Sequence, residues 1–337
     1  MLTAYAKNTV KADLLASALP DEPWYDAHLR AYFPQRLVER FAADLSAHPL
    51  RREIVATSVV NELVDQGGTS FAFRAVEETG ARTDEVVRAY TVATEVFGLR
   101  RHWRDVESLR VPLPVQVQVS LHLEARRLVD RVVRRQLADG GRVHDVAAAV
   151  ERYRPTVAAL LPEVPELVSG AEHDVLHDGV RRREEQGVPT ALARHSVSLL
   201  HGFLLLDVAD LADAAGEPPQ DVARLHYLLS AAFDVDVQLS RITGLPRADR
   251  WQALARSALR DDLYAALARL TASVLRSTPP GAPQERIAQW EDEHADRVGS
   301  ARARLQAVST GDVIDLAALS VVVRTLRTLL DVRSGTP

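Results

Sequence analysis

The stretch VQVQVSLHL, Val115 to Leu123, decides the fold, because it supports two opposite readings. Apolar and polar residues alternate with period two, the pattern of a strand with one buried face. Yet the stretch runs without a turn signal into LEARRLVDRVVRRQL, where apolar residues recur every three to four positions. Val117, Leu121, Leu128 and Val132 then fall on one helical stripe. FDVDVQL, Phe233 to Leu239, poses the same question and also runs on into helical spacing. A lone strand would have nothing to pair with, since no hairpin pattern occurs elsewhere. Both segments are therefore expected to be helical, and the chain all-α.

Working outward, VVRAYTVATEVF, WQALARSALRDDLYAALARLTASVL and DLAALSVVVRTLRTLL share the helical period. Breakers fall between such runs: Pro20, Pro23, Pro34, Pro49, Gly67-Gly68, Gly80, Pro112, Gly140-Gly141, Gly187, Gly216, Pro246 and the 277–283 loop. They predict about a dozen helices in an irregular bundle or array. Gly140-Gly141 is a soft boundary between two lobes, 1–141 and 142–337, which one domain would also accommodate. No repeat of fixed period supports a solenoid.

Composition excludes several classes. The chain has 337 residues, 47% hydrophobic and 26% charged, with mean hydropathy near zero, enough for a sizeable core. No run of about 18 apolar residues exists, so no membrane span is expected. Lys7, Lys11 and Asp13 come too early for a signal peptide. Without cysteine there are no disulfides, thiolate zinc sites or thiol nucleophiles, which fits a cytoplasmic location. A net charge of −5 argues against a general attraction to nucleic acid. Arginines from Arg100 to Arg135 alternate with Asp105, Glu124 and Asp130, as on a solvated, partly ion-paired face. Lys7 and Lys11 are the only lysines, while Arg and Ala abound, as in proteins of GC-rich bacteria.

The familiar chemical motifs are missing: no GxGxxG after a strand, no GxxxxGK, no HExxH and no GxSxG. His173 and His177, one helical turn apart beside Glu172, Asp174 and Asp178, are a weak metal-ligand pair lacking a third ligand. His195 and His201 point to different faces of one helix. Asp234 and Asp236 lie in apolar surroundings with Arg241 in reach; a buried ion pair is the plain expectation, a catalytic acid the sharper one. Asp261 and Asp262 are expected to be answered by Arg256 and Arg260 at helical spacing. The four tryptophans, Trp24, Trp103, Trp251 and Trp290, are expected to anchor helix packing.

HPLRREIVATSVVNELVDQGG, His48 to Gly68, offers a polar seam. Val55, Ala56, Val59, Val60, Leu63 and Val64 form one apolar arc, while Thr57, Ser58, Asn61 and Asp65 gather opposite, with Arg51 nearby. Arg51 and Arg52 sit poorly in the first turn of their own helix, so they should aim at acids elsewhere, with Glu53 offsetting part of the cost. Gly67 is the expected left-handed terminus, and Thr69 or Ser70 the cap of the next helix.

These blocks resemble a family. AYAKNTVKADLLASALPDEP, LRAYFPQRL, HPLRREIVATSVVNELVDQGG, FRAVEETGA and VVRAYTVATEVF, in this order, with WQALARSALRDDLYAALARLTASVL and DLAALSVVVRTLRTLL further on, are similar to the region C-terminal to the catalytic domain of the large bacterial NAD-specific glutamate dehydrogenases. The middle, about 140–220, is least distinctive. The resemblance implies a parent enzyme that oxidatively deaminates L-glutamate to 2-oxoglutarate and ammonia while reducing NAD. It places the nucleotide-binding glycines and the catalytic lysine and aspartate upstream of Met1. No catalytic, cofactor-binding or metal residue carries over, and this chain alone is expected to be inactive. The implied partners are the catalytic domain of the same polypeptide and, through it, a homo-oligomer. Besides a bracing role, a regulatory module binding a small ligand near Asn61 or Asp234 is an alternative; a free-standing enzyme using Asp234 and Asp236 ranks last.

Overall fold

The computed structural model describes residues 2–109, 113–138, 143–245, 249–309 and 315–330. Gly140-Gly141, at the expected lobe boundary, lies outside the described residues, as do Pro112 and Pro246. All regular structure among the described residues is helical. Helical segments number about twenty rather than a dozen, because several prolines open new short helices instead of ending structure. Pro23–Tyr25, Gln35–Arg40, Leu161–Glu163 and Val164–Leu167 are such pieces. None of the described helices is long and apolar enough to cross a membrane.

VQVQVSLHL opens one continuous 23-residue helix, Val115–Leu137. A two-residue step turns a helix by about 200°, so alternation in sequence becomes two opposite apolar faces. Val117, Leu121, Ala125, Leu128 and Val132 are buried, while Val115, Val119 and Leu123 face outward. FDVDVQL is helical too, but broken. Phe233 follows the helix Pro219–Ala232, and Asp234, at φ +54°, starts Val235–Gly244. Aspartate is one of the few residues whose short polar side chain tolerates that left-handed backbone.

The chain falls into two compact units, Met1–Pro155 with Gln186–Leu192, and Thr156–Glu185 with Ala193–Pro337. The axis of the first is the helix Thr83–Val96, walled by Leu2–Leu15, Phe71–Thr79, Leu99–Glu107 and Val115–Leu137. Val86, Val87, Ala89, Val92 and Ala93 are wholly buried, as expected of a helix enclosed on all sides. The charges it carries, Asp84 and Arg88, are buried with it and need partners.

The spine of the second unit is the 28-residue helix Arg250–Ser277, begun by Asp249, whose side chain accepts the Gln252 amide at 2.9 Å. Leu205–Ala215, Pro219–Ala232, Val235–Gly244 and Leu316–Leu330 pack on it. Trp290 is fully buried and donates to Ser273 Oγ at 3.1 Å. Trp251, expected to anchor packing, is instead exposed in the first turn of the spine.

His226 is fully buried against the spine, its Nδ1 2.8 Å from Thr271 Oγ1. The Thr271 hydroxyl proton goes to the Leu267 carbonyl at 3.0 Å, so Nδ1 donates and Nε2 carries the bare lone pair, without a hydrogen-bond partner. Burial lowers the histidine to about 4, against a weaker opposing pull from Asp207. A depressed histidine contributes stability that is complete above its ordinary 6.5 and is lost as pH falls towards 4. We expect His226→Gln, which keeps a donor for Thr271, to remove that dependence. Chemical denaturation across this window should find the wild-type advantage shrinking by about 3 kcal/mol as pH falls; a constant difference would show that the ring is not buried neutral.

Candidate functional site

The helix Arg51–Glu62 begins with two cations where free backbone amides disfavour them. Both guanidinium groups turn back to the preceding segment. Arg51 donates to the Pro20 carbonyl at 2.7 Å, to Asp21 Oδ1 at 3.3 Å and to Asp26 Oδ1 at 2.6 Å. Arg52 pairs with Asp21 and donates to the carbonyls of Leu15 at 2.7 Å and Ser17 at 2.9 Å. Cations unfavourable for their own helix thus satisfy carbonyls at the end of Leu2–Leu15, where positive charge is welcome. Both lysines of the chain tie the helix Leu2–Leu15 to this segment: Lys11 meets Glu53 of the helix at 2.7 Å and Lys7 meets Asp65, just beyond its end, at 2.8 Å.

Thr57 and Asn61 remain exposed on the outer side of this helix. Their neighbour Ser58 faces inward, its hydroxyl 2.9 Å from His28 Nδ1. Burial, aided by Arg100, lowers His28 to about 4.

Below Glu62 the helix widens into a π-turn, Leu63–Gly67. The extra residue moves the left-handed terminus from the expected Gly67 to Gly68, at φ +99°. Arg126 fastens the turn, Nε donating to the Gln66 carbonyl at 2.5 Å and Nη2 to the Asp65 carbonyl at 3.2 Å. The following helix, Phe71–Thr79, has no side-chain cap. Ser70 is already near helical geometry, which does not aim its hydroxyl at the first-turn amides.

Two further arginines tighten the unit: Arg88, which sequence reading passed over, and Arg100, which it placed on a solvated, partly ion-paired face. Arg88 lies between Asp84, at 2.9 Å, and Glu22, at 2.5 Å. Arg100 holds Glu62 at 2.9 Å and also pairs with Glu95, which Arg154 reaches at 2.5 Å. One signal was available for Arg88: a lone cation inside VVRAYTVATEVF, apolar on every face, must find a buried acid. The acids themselves lie far along the chain and carry no local mark.

The other candidates are scattered. His173 and His177 lie with ring centres 4.2 Å apart and their planes tilted by 40°, and His173 Nδ1 is 3.3 Å from Asp174. Among the described residues no group of three His, Asp or Glu side chains could hold a metal ion. Asp234 is exposed and Asp236 buried, which corrects the expected buried pair, because the left-handed break turns Asp234 outward. Burial raises Asp236, while the amides of Val237 and of Asp236 itself offset part of that rise; Arg241 reaches Gln238 Oε1 at 3.4 Å. Asp262 pairs with Arg327 of a neighbouring helix. Arg256 and Arg260 turn to Leu245 O at 3.1 Å and Thr243 Oγ1 at 3.2 Å.

A cavity of about 460 Å³ opens in the second unit beside Glu163, Glu166, Ser169, Arg224 and Leu228. Glu166 is held by Arg194 at 2.5 Å. A nicotinamide dinucleotide calls for a glycine-rich turn between strand and helix. The described residues contain no strand, and Gly68, Gly80 and Gly216, at positive φ, end helices.

The family described as "Glutamate dehydrogenase, C-terminal" matches residues 1–328. The NAD-specific glutamate dehydrogenase of Mycobacterium tuberculosis is 36% identical over 327 residues, which are 97% of this chain and 20% of the relative. The protein of the same name from Pseudomonas aeruginosa is 32% identical over 98% of this chain and 20% of its own length. That from Halomonas elongata is 33% identical over 99% and 21%. The chain thus spans about a fifth of the length of these relatives. Matched by the family model over residues 1–328, and helical in all regular structure among the described residues, the chain belongs to the glutamate dehydrogenase C-terminal family.

Proposed function

We propose that this chain is the non-catalytic helical part of an NAD-dependent glutamate dehydrogenase, and that it braces the catalytic domain or the contacts between subunits. The parent reaction takes L-glutamate, NAD and water to 2-oxoglutarate, ammonia and NADH, in the cytoplasm. NAD and the catalytic groups belong to the rest of the polypeptide. The observation that carries this reading is how the first unit uses its charges. Arg51, Arg52, Arg88, Arg100 and Arg126 are all engaged by acids or carbonyls of the same unit. A substrate-binding arginine keeps its fork for the ligand; these spend theirs on holding helices together.

The test compares this chain with the longer polypeptide that contains it, following NADH formation from glutamate and NAD. The longer polypeptide should turn over and the chain alone should not. Turnover by the chain at the rate of the longer polypeptide would refute the reading. A thermal-shift screen of the chain with amino acids, nucleotides and divalent ions should find no stabilisation, whereas a clear shift would favour the regulatory module.

A further inference from the structure

We propose that the outer face of the helix Val115–Leu137 is a docking ridge for the rest of the glutamate dehydrogenase polypeptide, whose matching surface is apolar with a carboxylate placed for Arg127. The proposal rests on the family role given above and names one place where the bracing occurs. Val115, Val119 and Leu123 are 70%, 49% and 41% exposed. They stand four residues apart, so they form one ridge of the kind that seats in the groove of a facing helix. The buried stripe of Val117, Leu121 and Ala125 lies on the opposite side, so the core does not need the outer valines and leucine. The polar residues between Val115 and Leu123 are Gln116, Gln118, Ser120 and His122, with no acid and no permanent cation.

Arg127 continues the ridge one turn further. It is exposed and has no acid partner among the described residues. Its neighbours differ: Arg126 is bound to the π-turn and Arg134 to Asp130 at 2.7 Å and Glu78 at 3.4 Å. A three-residue apolar ridge ending in an unused guanidinium specifies its complement, an apolar groove with one carboxylate at its end.

The size of the ridge selects the occupant. Three aliphatic side chains offer at most a few hundred Å² of apolar surface, far below the roughly 1,200 Å² that a specific pair of free molecules buries. A second copy of this chain held only here would dissociate. A partner in the same polypeptide is held at high effective concentration and needs little area, and the relatives carry about four-fifths of their length outside the matched region.

The chain has no cysteine, so Val119→Cys supplies a reporter on the ridge. Maleimide labelling of that peptide is followed by mass spectrometry in the chain alone and in the longer polypeptide, each normalised to its denatured rate. Labelling should be about tenfold or more slower in the longer polypeptide, and Arg127→Glu should bring it back towards the rate of the chain alone. Equal rates in a polypeptide that oxidises glutamate would overturn the ridge and leave the proposed function intact. Protection in a polypeptide that does not oxidise glutamate would uphold the ridge and sink that function. Concentration-dependent protection of the chain alone, with a dimer in sedimentation, would overturn the proposal in favour of a second copy. Protection that Arg127→Glu leaves unchanged would overturn the assigned carboxylate.

Discussion

Arg286→Ala should destabilise the second unit by about 3–5 kcal/mol, the usual cost of leaving one partner of a buried ion pair alone. The Arg286 side chain is almost wholly buried in the helix Pro283–Glu293. It grips Glu217 with two parallel hydrogen bonds, 2.7 Å from Nη1 and 3.0 Å from Nη2. Its Nε donates to Thr278 Oγ1 at 3.0 Å, and Nη2 also reaches the carbonyls of Thr278 at 3.2 Å and Leu275 at 3.4 Å. Those carbonyls belong to the end of the spine helix, where the last turn lacks internal donors. One guanidinium therefore neutralises a buried acid and closes a helix terminus. Alanine removes both services and leaves Glu217 charged and enclosed. Glu217→Gln should cost less, since a neutral amide still accepts from Arg286. Urea titration should register the loss as a lower midpoint at unchanged slope. A loss under about 1 kcal/mol would mean that water already reaches the pair.

How much of this could be read beforehand varies with the range of the interaction. The helical nature of Val115–Leu123 was legible because the run-on into a three-to-four repeat is local. Its second apolar face was in the same letters, hidden because period two is habitually read as strand. The break at Asp234 was not legible, since neither Gly nor Pro marks it and only tertiary packing holds that residue left-handed. The shift from Gly67 to Gly68 came from a π-turn, which adds one residue without a compositional sign. Arg51 and Arg52 stood out as misplaced cations. Their partners Asp21 and Asp26 lie in a loop whose position is set by packing, so the anomaly was visible and its answer was not. The family resemblance drew on the order of whole blocks, which survives where single contacts do not show.

Arg88→Met should be the most damaging single change in the first unit, again by about 3–5 kcal/mol. Methionine keeps the length and the apolar stem, so the packing change is small and the loss isolates the charge. Burial works against the charge of Asp84, and hydrogen bonds from Arg82 and Arg88 outweigh it, holding the carboxyl below its ordinary range. Without Arg88, Asp84 keeps only Arg82, which is mostly exposed, and Glu22 loses its partner altogether. A carboxyl with a lowered folded-state pKa contributes stability that is present above its ordinary value near 3.8 and lost as pH falls through the folded value. The gap between wild type and Arg88→Met should therefore be full at neutral pH and close at acid pH, as protonation of Asp84 removes what Arg88 was neutralising. Denaturation of this chain alone, with no substrate or cofactor added, separates the two roles an arginine can have. A brace loses stability in the empty protein, whereas a ligand-binding arginine, removed from an empty site, leaves stability unchanged or improved because its desolvation is relieved. Arg88→Met with undiminished stability, and a defect appearing only in glutamate turnover by the longer polypeptide, would transfer Arg88 from the frame of the unit to its chemistry.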